Sequence, residues 1–174
     1  IRINTGELLL KNGGLLQTFN GRAGNSGNIF LDVRDTITFE GVASNEMEIT
    51  FEGVAINGME SRVLTFAQNG NAGNIEVKTG SLFLKDGSSI DTTLVGEENS
   101  DNFSAGKIAI NANDTVKIDG EFTALNSYLA SGKGKGGDIE ILTKSLSIAN
   151  GAYLFAITSG EGDAGNININ ASDS

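Results

Sequence analysis

Apolar and polar residues alternate along most of the chain, in short runs separated by Gly, Asn, Asp and Ser. After Gly73, for example, the apolar side chains are Ile75, Val77, Leu82 and Leu84. Alternation with a period of two residues is typical of a half-buried β-strand. No window carries a 3.6-residue apolar stripe long enough for a helix, so the pattern predicts units of three short strands and three turns.

One short phrase built around Gly-Asn-Ile returns five times. Its glycines follow one another at spacings of 46, 33, 31 and 28 residues: Gly27, Gly73, Gly106, Gly137 and Gly165. A phrase that recurs at such periods indicates one supersecondary unit stacked on the next. Residues that repeat in this way share one structural purpose, which argues against a unique catalytic centre.

The repeat favours one architecture. Three strands per unit without a helix fit a parallel β-helix, in which each unit is one coil and equivalent strands stack about 4.8 Å apart. An antiparallel sandwich predicts unrelated strands, and a propeller needs about four strands per blade. We therefore predict an all-β fold, a right-handed parallel β-helix of five to six three-strand coils.

Equivalent positions in successive coils should stack into inward columns. The expected coils are 1–26, 27–72, 73–105, 106–136, 137–164 and a partial one at 165–174. The expected columns are Ile1/Ile29/Ile75/Ile108/Ile139/Ile167, Ile3/Leu31/Val77/Ile110/Ile141/Ile169 and, in a second sheet, Leu8/Ile37/Leu82/Val116/Leu146. Neither end carries a polar capping coil, so we expect residues 1–174 to be a single β-helix segment of a longer protein.

The coils also alternate in type. Odd coils end their second strand with Asn or Asp followed by Gly, as at Gly13, Gly87 and Gly151. Even coils instead place Asp-Thr before the second strand, at 35–36 and 114–115. The coils therefore belong to two types that follow one another in turn.

The second coil is longer because it contains a tandem duplication. The heptapeptide at 37–43 returns at 49–55, and either copy can supply the second strand. We expect one copy in the wall and the other, with Asn57 to Arg62, in an outward bulge. Residues Val95 to Phe103 should form a second bulge, and Ser131 to Gly137 a shorter loop.

The composition removes several classes of function. The chain has no Cys, His or Pro, so disulfides, thiolate zinc sites and Ser-His-Asp triads all lack their parts. A net charge of −10 argues against a nucleic-acid partner, because such binding depends on clustered Lys and Arg. No apolar run reaches the roughly 18 residues of a membrane-spanning helix.

Carboxylates are the remaining catalytic candidates, since an acidic pair can hydrolyse a glycosidic bond. The acidic residues expected on outward positions are Asp32, Glu76, Asp138 and Glu140. They form no acidic pair on consecutive coils, so we predict a solvated charged face and no catalytic residue. Asp32 should lie opposite Lys78 in the next coil, a pair worth well under ~1 kcal/mol when exposed.

No metal or cofactor site is predicted. The acidic loop at 97–102 lacks the EF-hand spacing, and the stretch at 134–138 lacks the nonapeptide that binds Ca²⁺ in some β-rolls. The threonines at 36, 38, 92 and 93 do not recur in one outward column, which argues against a flat ice-binding face.

The Asn/Asp/Lys column that follows the repeat glycines is predicted to be a turn ladder, hydrogen-bonded along the stack: Asn28, Asn74, Lys107, Asp138 and Asn166. The glycines themselves are expected to supply either positive φ or close backbone approach.

The repeated phrases resemble a known family. The Ala-Gly-Asn-Ile phrase, Ser-Leu-x-Leu-x-Asp-Gly-Ser-x-Ile at 81–90 and Ile-Asn-Ala-Asn-Asp-Thr-Val at 110–116 are similar to the repeat region of filamentous-haemagglutinin-like two-partner-secretion exoproteins of cyanobacterial type. The resemblance covers essentially the whole chain. It implies an extracellular or cell-surface rod, exported through an outer-membrane secretion transporter and used in adhesion, surface coating or cell contact. It carries over no catalytic residue.

Two classes of function follow as expectations. The first is a non-catalytic structural shaft of a secreted, cell-surface adhesin or extracellular filament. The second is a carbohydrate-binding or polysaccharide-degrading β-helix protein. Surface glycans or proteins are the expected ligands, and open coil ends also allow identical segments to associate end to end.

Overall fold

The fold is the predicted parallel β-helix. A computed structural model describes residues 1–41, 49–51, 54–56, 60–97 and 102–173. These described residues contain no helix, and their parallel sheets stack into a β-solenoid of about 5 turns.

The strands in chain order are β1 (Arg2–Lys11), β2 (Leu15–Asn20), β3 (Ile29–Glu40), β4 (Ile49–Phe51), β5 (Val54–Ile56), β6 (Arg62–Gln68), β7 (Ile75–Lys85), β8 (Ser89–Val95), β9 (Phe103–Ser104), β10 (Ile108–Asp119), β11 (Ala124–Ser131), β12 (Lys133–Lys135), β13 (Ile139–Thr143), β14 (Ser145–Ala149), β15 (Tyr153–Thr158), β16 (Glu161–Asp163) and β17 (Ile167–Ala171).

The first sheet runs in the order β1-β3-β7-β10-β13-β17, with β14 also paired to β10. It contains two of the strands expected in each coil, because the chain bends at a register irregularity without leaving the sheet. The prediction of a separate second sheet at this position is therefore wrong. The two expected strands are distinct only in the fifth coil, as β13 and β14.

The same bend explains the odd and even coils. Between paired positions, odd coils use the single residues Gly6 and Gly80, whereas even coils use the pairs 34–35 and 113–114. A Cβ on Gly80 would collide with the backbone carbonyl of Asp35, so the single-residue bend requires glycine there. The two-coil period in the sequence is thus a two-coil period in the bulge.

The predicted inward columns are confirmed. Ile29, Ile75, Ile108, Ile139 and Ile167 pair in register, and so do Leu8, Ile37, Leu82, Val116 and Leu146. From the second to the fifth coil, the first column is fully buried in one continuous apolar core. Burial of aliphatic side chains in such files is the main favourable term in the stability of the stack.

The second sheet runs in the order β15-β11-β8-β6-β2 and forms another wall. Its inward apolar column is Leu16, Val63, Ile90, Leu125 and Leu154.

A third, short sheet contains β9, β12 and β16. Residues 133–135 therefore form a strand where a loop was predicted, because glycine at 134 lets this backbone pack closely against Phe103. The middle of the predicted bulge between Val95 and Phe103, residues 98–101, lies outside the described residues.

The duplication in the second coil is resolved in favour of the first copy. Residues Ile37–Glu40 lie in the wall as the end of β3, whereas β4 and β5 of the second copy pair antiparallel with each other. Asn57, expected in the bulge, lies outside the described residues. Arg62, also expected there, is wrongly placed by the prediction, because it begins β6 and pairs with Leu15 and Ser89.

The excursion between Gly41 and Ser61 is fastened at its base. The Ser61 amide donates a hydrogen bond to the Gly41 carbonyl at 3.0 Å, and its hydroxyl donates to the Glu40 carbonyl at 2.9 Å. In the third coil a tight turn through Asp86 and Gly87, both with positive φ, occupies the same corner. The wall thus continues past the insertion.

Candidate functional site

The sequence-predicted carboxylates are only partly brought together. Glu76 and Glu140 lie on either side of Ala109 in one outward column of the first sheet, along a shallow groove of about 620 Å³. Two strand spacings, about 9.6 Å, separate their backbones. The carboxylate of Glu140 is ion-paired with the Lys107 ammonium at 2.7 Å.

The other two candidates lie elsewhere. Asp32 is the register partner of Lys78, as predicted. Asp138 lies at the glycine corner, where its Oδ1 accepts a hydrogen bond from the Asn166 amide at 2.7 Å. Its carboxylate is therefore occupied in holding two coils together and does not extend the column of Glu76 and Glu140.

The predicted turn ladder is present. The side-chain oxygen of Asn28 accepts a hydrogen bond from the backbone amide of Asn74 at 2.8 Å, and the side-chain oxygen of Asn74 accepts one from the backbone amide of Lys107 at 2.9 Å. Lys107 has no acceptor oxygen, so it interrupts the ladder and Asp138 resumes it one coil later. The column is thus a structural device that ties each coil to the next.

The repeat glycines permit close backbone approach; they do not supply positive φ. A Cβ on Gly73, Gly106, Gly137 or Gly165 would collide with the carbonyl oxygen of the equivalent glycine in the preceding coil. None of these four has φ in the left-handed region. Of the two explanations left open by the sequence, steric contact along the stack is the correct one.

An inward column of hydroxyls supports this glycine corner. Thr65 donates to the Gly73 carbonyl and Thr92 to the Gly106 carbonyl, each at 2.6 Å and buried. Ser127 continues the column, accepting from the Gly137 amide at 2.9 Å. Thr92 therefore faces the interior, where its hydroxyl satisfies a buried carbonyl that would otherwise cost free energy.

A polar cluster on the outer face of the second sheet was missed by sequence reasoning. Arg62 Nε lies 2.9 Å from Asp91 Oδ2, although 29 residues separate them in the chain. The Ser89 hydroxyl donates to the same oxygen at 2.5 Å, and the Asn126 amide donates to Asp91 Oδ1 at 2.8 Å. The side chain of Asp91 is only 4% exposed. A buried carboxylate is tolerated here because both of its oxygens have partners.

Several ionisable side chains lie close together around Asp91, and burial together with the neighbouring charges shifts the pKa values of Glu60 and Tyr153. Burial raises the pKa of Glu60, opposed by the Arg62 charge and reinforced by the Asp91 charge. Burial, followed by the charges of Asp91 and Glu60, also raises the pKa of Tyr153. The Asn126 Oδ1 atom is buried and accepts no hydrogen bond. The signal in the sequence was the register of the second coil, since placing Arg62 in the wall puts it diagonally across from Asp91.

Aromatic rings border the cluster. Tyr153 and Phe155 lie with ring centroids 4.4 Å apart, and the Tyr128 hydroxyl donates to Ser159 Oγ at 3.2 Å. Together with Asp91 and Asn126 they line a groove of about 400 Å³. We call it the tyrosine groove, because it holds Tyr128 and Tyr153, the only two tyrosines of the chain.

Within the ranges 1–41, 49–51, 54–56, 60–97 and 102–173, no three His, Cys, Asp or Glu side chains are grouped so as to hold a metal ion. Over the same residues, no helix has the length and apolar character needed to cross a bilayer.

Comparison of the chain with known proteins finds no matching family model, no matching curated protein and no matching solved structure.

Proposed function

We propose that this chain is a structural shaft segment of a secreted, cell-surface adhesin or extracellular filament. The observation that carries the proposal is the repetition of the same coil-to-coil contact at successive junctions. Gly73 packs on Gly27, Gly106 on Gly73, and Gly137 on Gly106. A stack built in this way has a nearly constant cross-section and extends by adding coils, which suits a rod.

The placement of the polar groups supports the same role. At the glycine corner the side-chain oxygens of Asn28, Asn74 and Asp138 accept hydrogen bonds from the next coil. These groups therefore hold the stack together and are not arranged as a catalytic site. Exposed ion pairs such as Lys107–Glu140 likewise join different coils. The net charge of −10 limits nonspecific association of the exposed strand faces. The resemblance to filamentous-haemagglutinin-like exoproteins points the same way.

Export through an outer-membrane secretion transporter belongs to this proposal. The test is surface labelling of the native protein with an antibody raised against residues 1–174, on intact and on permeabilised cells. We expect labelling of intact cells, lost when the transporter gene is deleted. Labelling that requires permeabilisation in the parent strain contradicts the proposal.

Carbohydrate binding is the second candidate, and the tyrosine groove is the observation that favours it. Polysaccharide degradation has less support, because Glu140 is ion-paired with Lys107 and Glu76 lies two strands away. Release of reducing ends from neutral and acidic polysaccharides, lost in Glu76→Gln and Glu140→Gln but kept in Asp32→Asn, would establish an enzyme instead of a shaft.

A further inference from the structure

We propose that the tyrosine groove binds a short segment of a neutral carbohydrate chain, with Phe155 and Tyr153 as the stacking platform. The inference deepens the adhesin role by naming a ligand class and a site, and its biological setting rests on that role. The binding itself can be tested on the purified chain, independently of where the protein is found in the cell.

The platform is exposed on the flat outer face of the second sheet. Phe155 is 45% exposed although its ring lies against Tyr153. Beside it, Ile157 is 36% exposed and continues the apolar strip along β15. Aromatic faces carry partial negative charge, so they attract the C–H faces of a sugar ring, which present weakly positive hydrogens. An exposed ring next to polar groups is a poor arrangement for the core and a good one for an amphipathic ligand.

Hydroxyl and amide groups line the rest of the groove. Thr93, Tyr128 and Ser159 provide hydroxyls that both donate and accept hydrogen bonds. Asn126 lies between them and Asp91, and its Oδ1 is a buried acceptor without a donor. Sugar hydroxyls match a lining that offers both donors and acceptors.

The charge of the groove selects an uncharged ligand. The charge of the Arg62 guanidinium is already balanced by Asp91, whose Oδ2 lies 2.9 Å from Nε, so it offers little net attraction to a carboxylate or sulfate. Glu60 adds negative potential close to the same cluster. An acidic polysaccharide would be repelled by this potential and by the chain as a whole, which carries a net charge of −10. Neutral glycans avoid both penalties.

Intrinsic fluorescence provides a site-specific probe. The chain has two tyrosines and no tryptophan, and both tyrosines line this groove. Tyrosine emission of the unlabelled protein therefore reports occupancy of this site. We would screen the 174-residue chain on a glycan array, then titrate the strongest neutral oligosaccharide, an acidic oligosaccharide and a mixed peptide pool while following the emission.

Phe155→Ala and Phe122→Ala form a matched pair. Both rings are exposed, Phe122 by 67%, but Phe122 lies at the corner that precedes β11. We expect a saturable emission change with the neutral oligosaccharide, weakened at least about tenfold by Phe155→Ala and unchanged by Phe122→Ala. Thermal unfolding of both variants confirms that they remain folded.

Several results overturn the inference. They are the absence of saturable binding to any neutral glycan, binding that Phe155→Ala does not weaken, and binding by the acidic oligosaccharide or the peptides alone. Surface labelling of intact cells separates this outcome from failure of the shaft proposal. Labelling without glycan binding rejects the groove as a site, whereas glycan binding without surface labelling rejects the extracellular role.

Discussion

Replacing Gly106 by alanine should open the junction between the third and fourth coils. The added methyl group would collide with the carbonyl oxygen of Gly73, a backbone atom that cannot rotate away. Gly106 is buried and its φ is ordinary, so the penalty comes from contact and not from torsional strain. Relief requires the two backbones to separate at this corner.

The cost follows from the contacts that the separation disturbs. Overpacking by one methyl in a tight site costs about 1–3 kcal/mol. Two cross-coil hydrogen bonds lie beside the collision: the Ile75 amide to the Lys107 carbonyl, and the Lys107 amide to Asn74 Oδ1, each 2.9 Å. Each contributes about 1 kcal/mol net. Alanine returns about 0.5 kcal/mol by restricting the unfolded chain. We expect a net loss of about 2.5–4.5 kcal/mol.

Gly27 is the matched control, because it holds the same place in the repeat phrase. In the 174-residue chain a Cβ at Gly27 meets only the Thr18 side chain, at 3.6 Å, which is ordinary contact. Gly27→Ala should therefore be neutral or stabilise by up to about 1 kcal/mol. Urea unfolding followed by circular dichroism measures both variants. Equal midpoints for Gly27→Ala and Gly106→Ala would refute the claim that coil-to-coil contact is what requires glycine.

Three further substitutions probe the polar contacts. Asn74→Ala removes an acceptor that serves the next coil and should cost about 0.5–1.5 kcal/mol in urea unfolding. Asn166→Ala should cost less, because its side-chain amide makes a longer bond of 3.2 Å to Asp138 Oδ1, an atom that also accepts from the Asn166 backbone amide. Asp91→Ala leaves the half-buried Arg62 unpaired and should cost about 3 kcal/mol or more; a loss below about 1 kcal/mol would show that the pair is not stabilising. Glu60→Gln should change the pH dependence of stability, because burial raises the pKa of Glu60 in the folded state. The stabilising contribution of the protonated Glu60 is fully present below the ordinary pKa of 4.5, and it is lost as the pH rises through the folded-state pKa. Thermal unfolding across this range should therefore show the variant gaining on the parent as pH rises, and parallel curves would contradict the burial of this carboxyl.

The periodic part of the fold was predictable because stacking makes sequence period and structural period the same. The column through Ile75, Ile108 and Ile139 follows directly from aligning one phrase. The merging of two strands into one bent strand was not predictable from alternation alone. A bulge preserves the hydrogen bonding while shifting the alternation, so it gives the same pattern as a turn. The detail that identifies a bulge instead of a turn is that odd coils have one residue, Gly80, where even coils have two.

The tyrosine groove escaped prediction for a related reason. Its residues come from four different coils, and Arg62 was assigned to a bulge when it belongs to the wall. An error in the register of one strand removes every cross-coil neighbour of that strand. The ladder through Asn28 and Asn74 was predicted correctly, since it depends only on the repeat phrase itself.

The hydrogen bond that joins Gly41 to Ser61 makes this corner a site that can accept inserted sequence. Whatever length of polypeptide is spliced between these two residues, β3 and β6 meet the same neighbours above and below. Lengthening such a loop is inexpensive, at about 0.6 kcal/mol for each doubling. The β-solenoid can thus acquire or exchange inserted segments at this position through gene duplication while its coils keep their stacking, and an engineered epitope placed here should be displayed without refolding the wall.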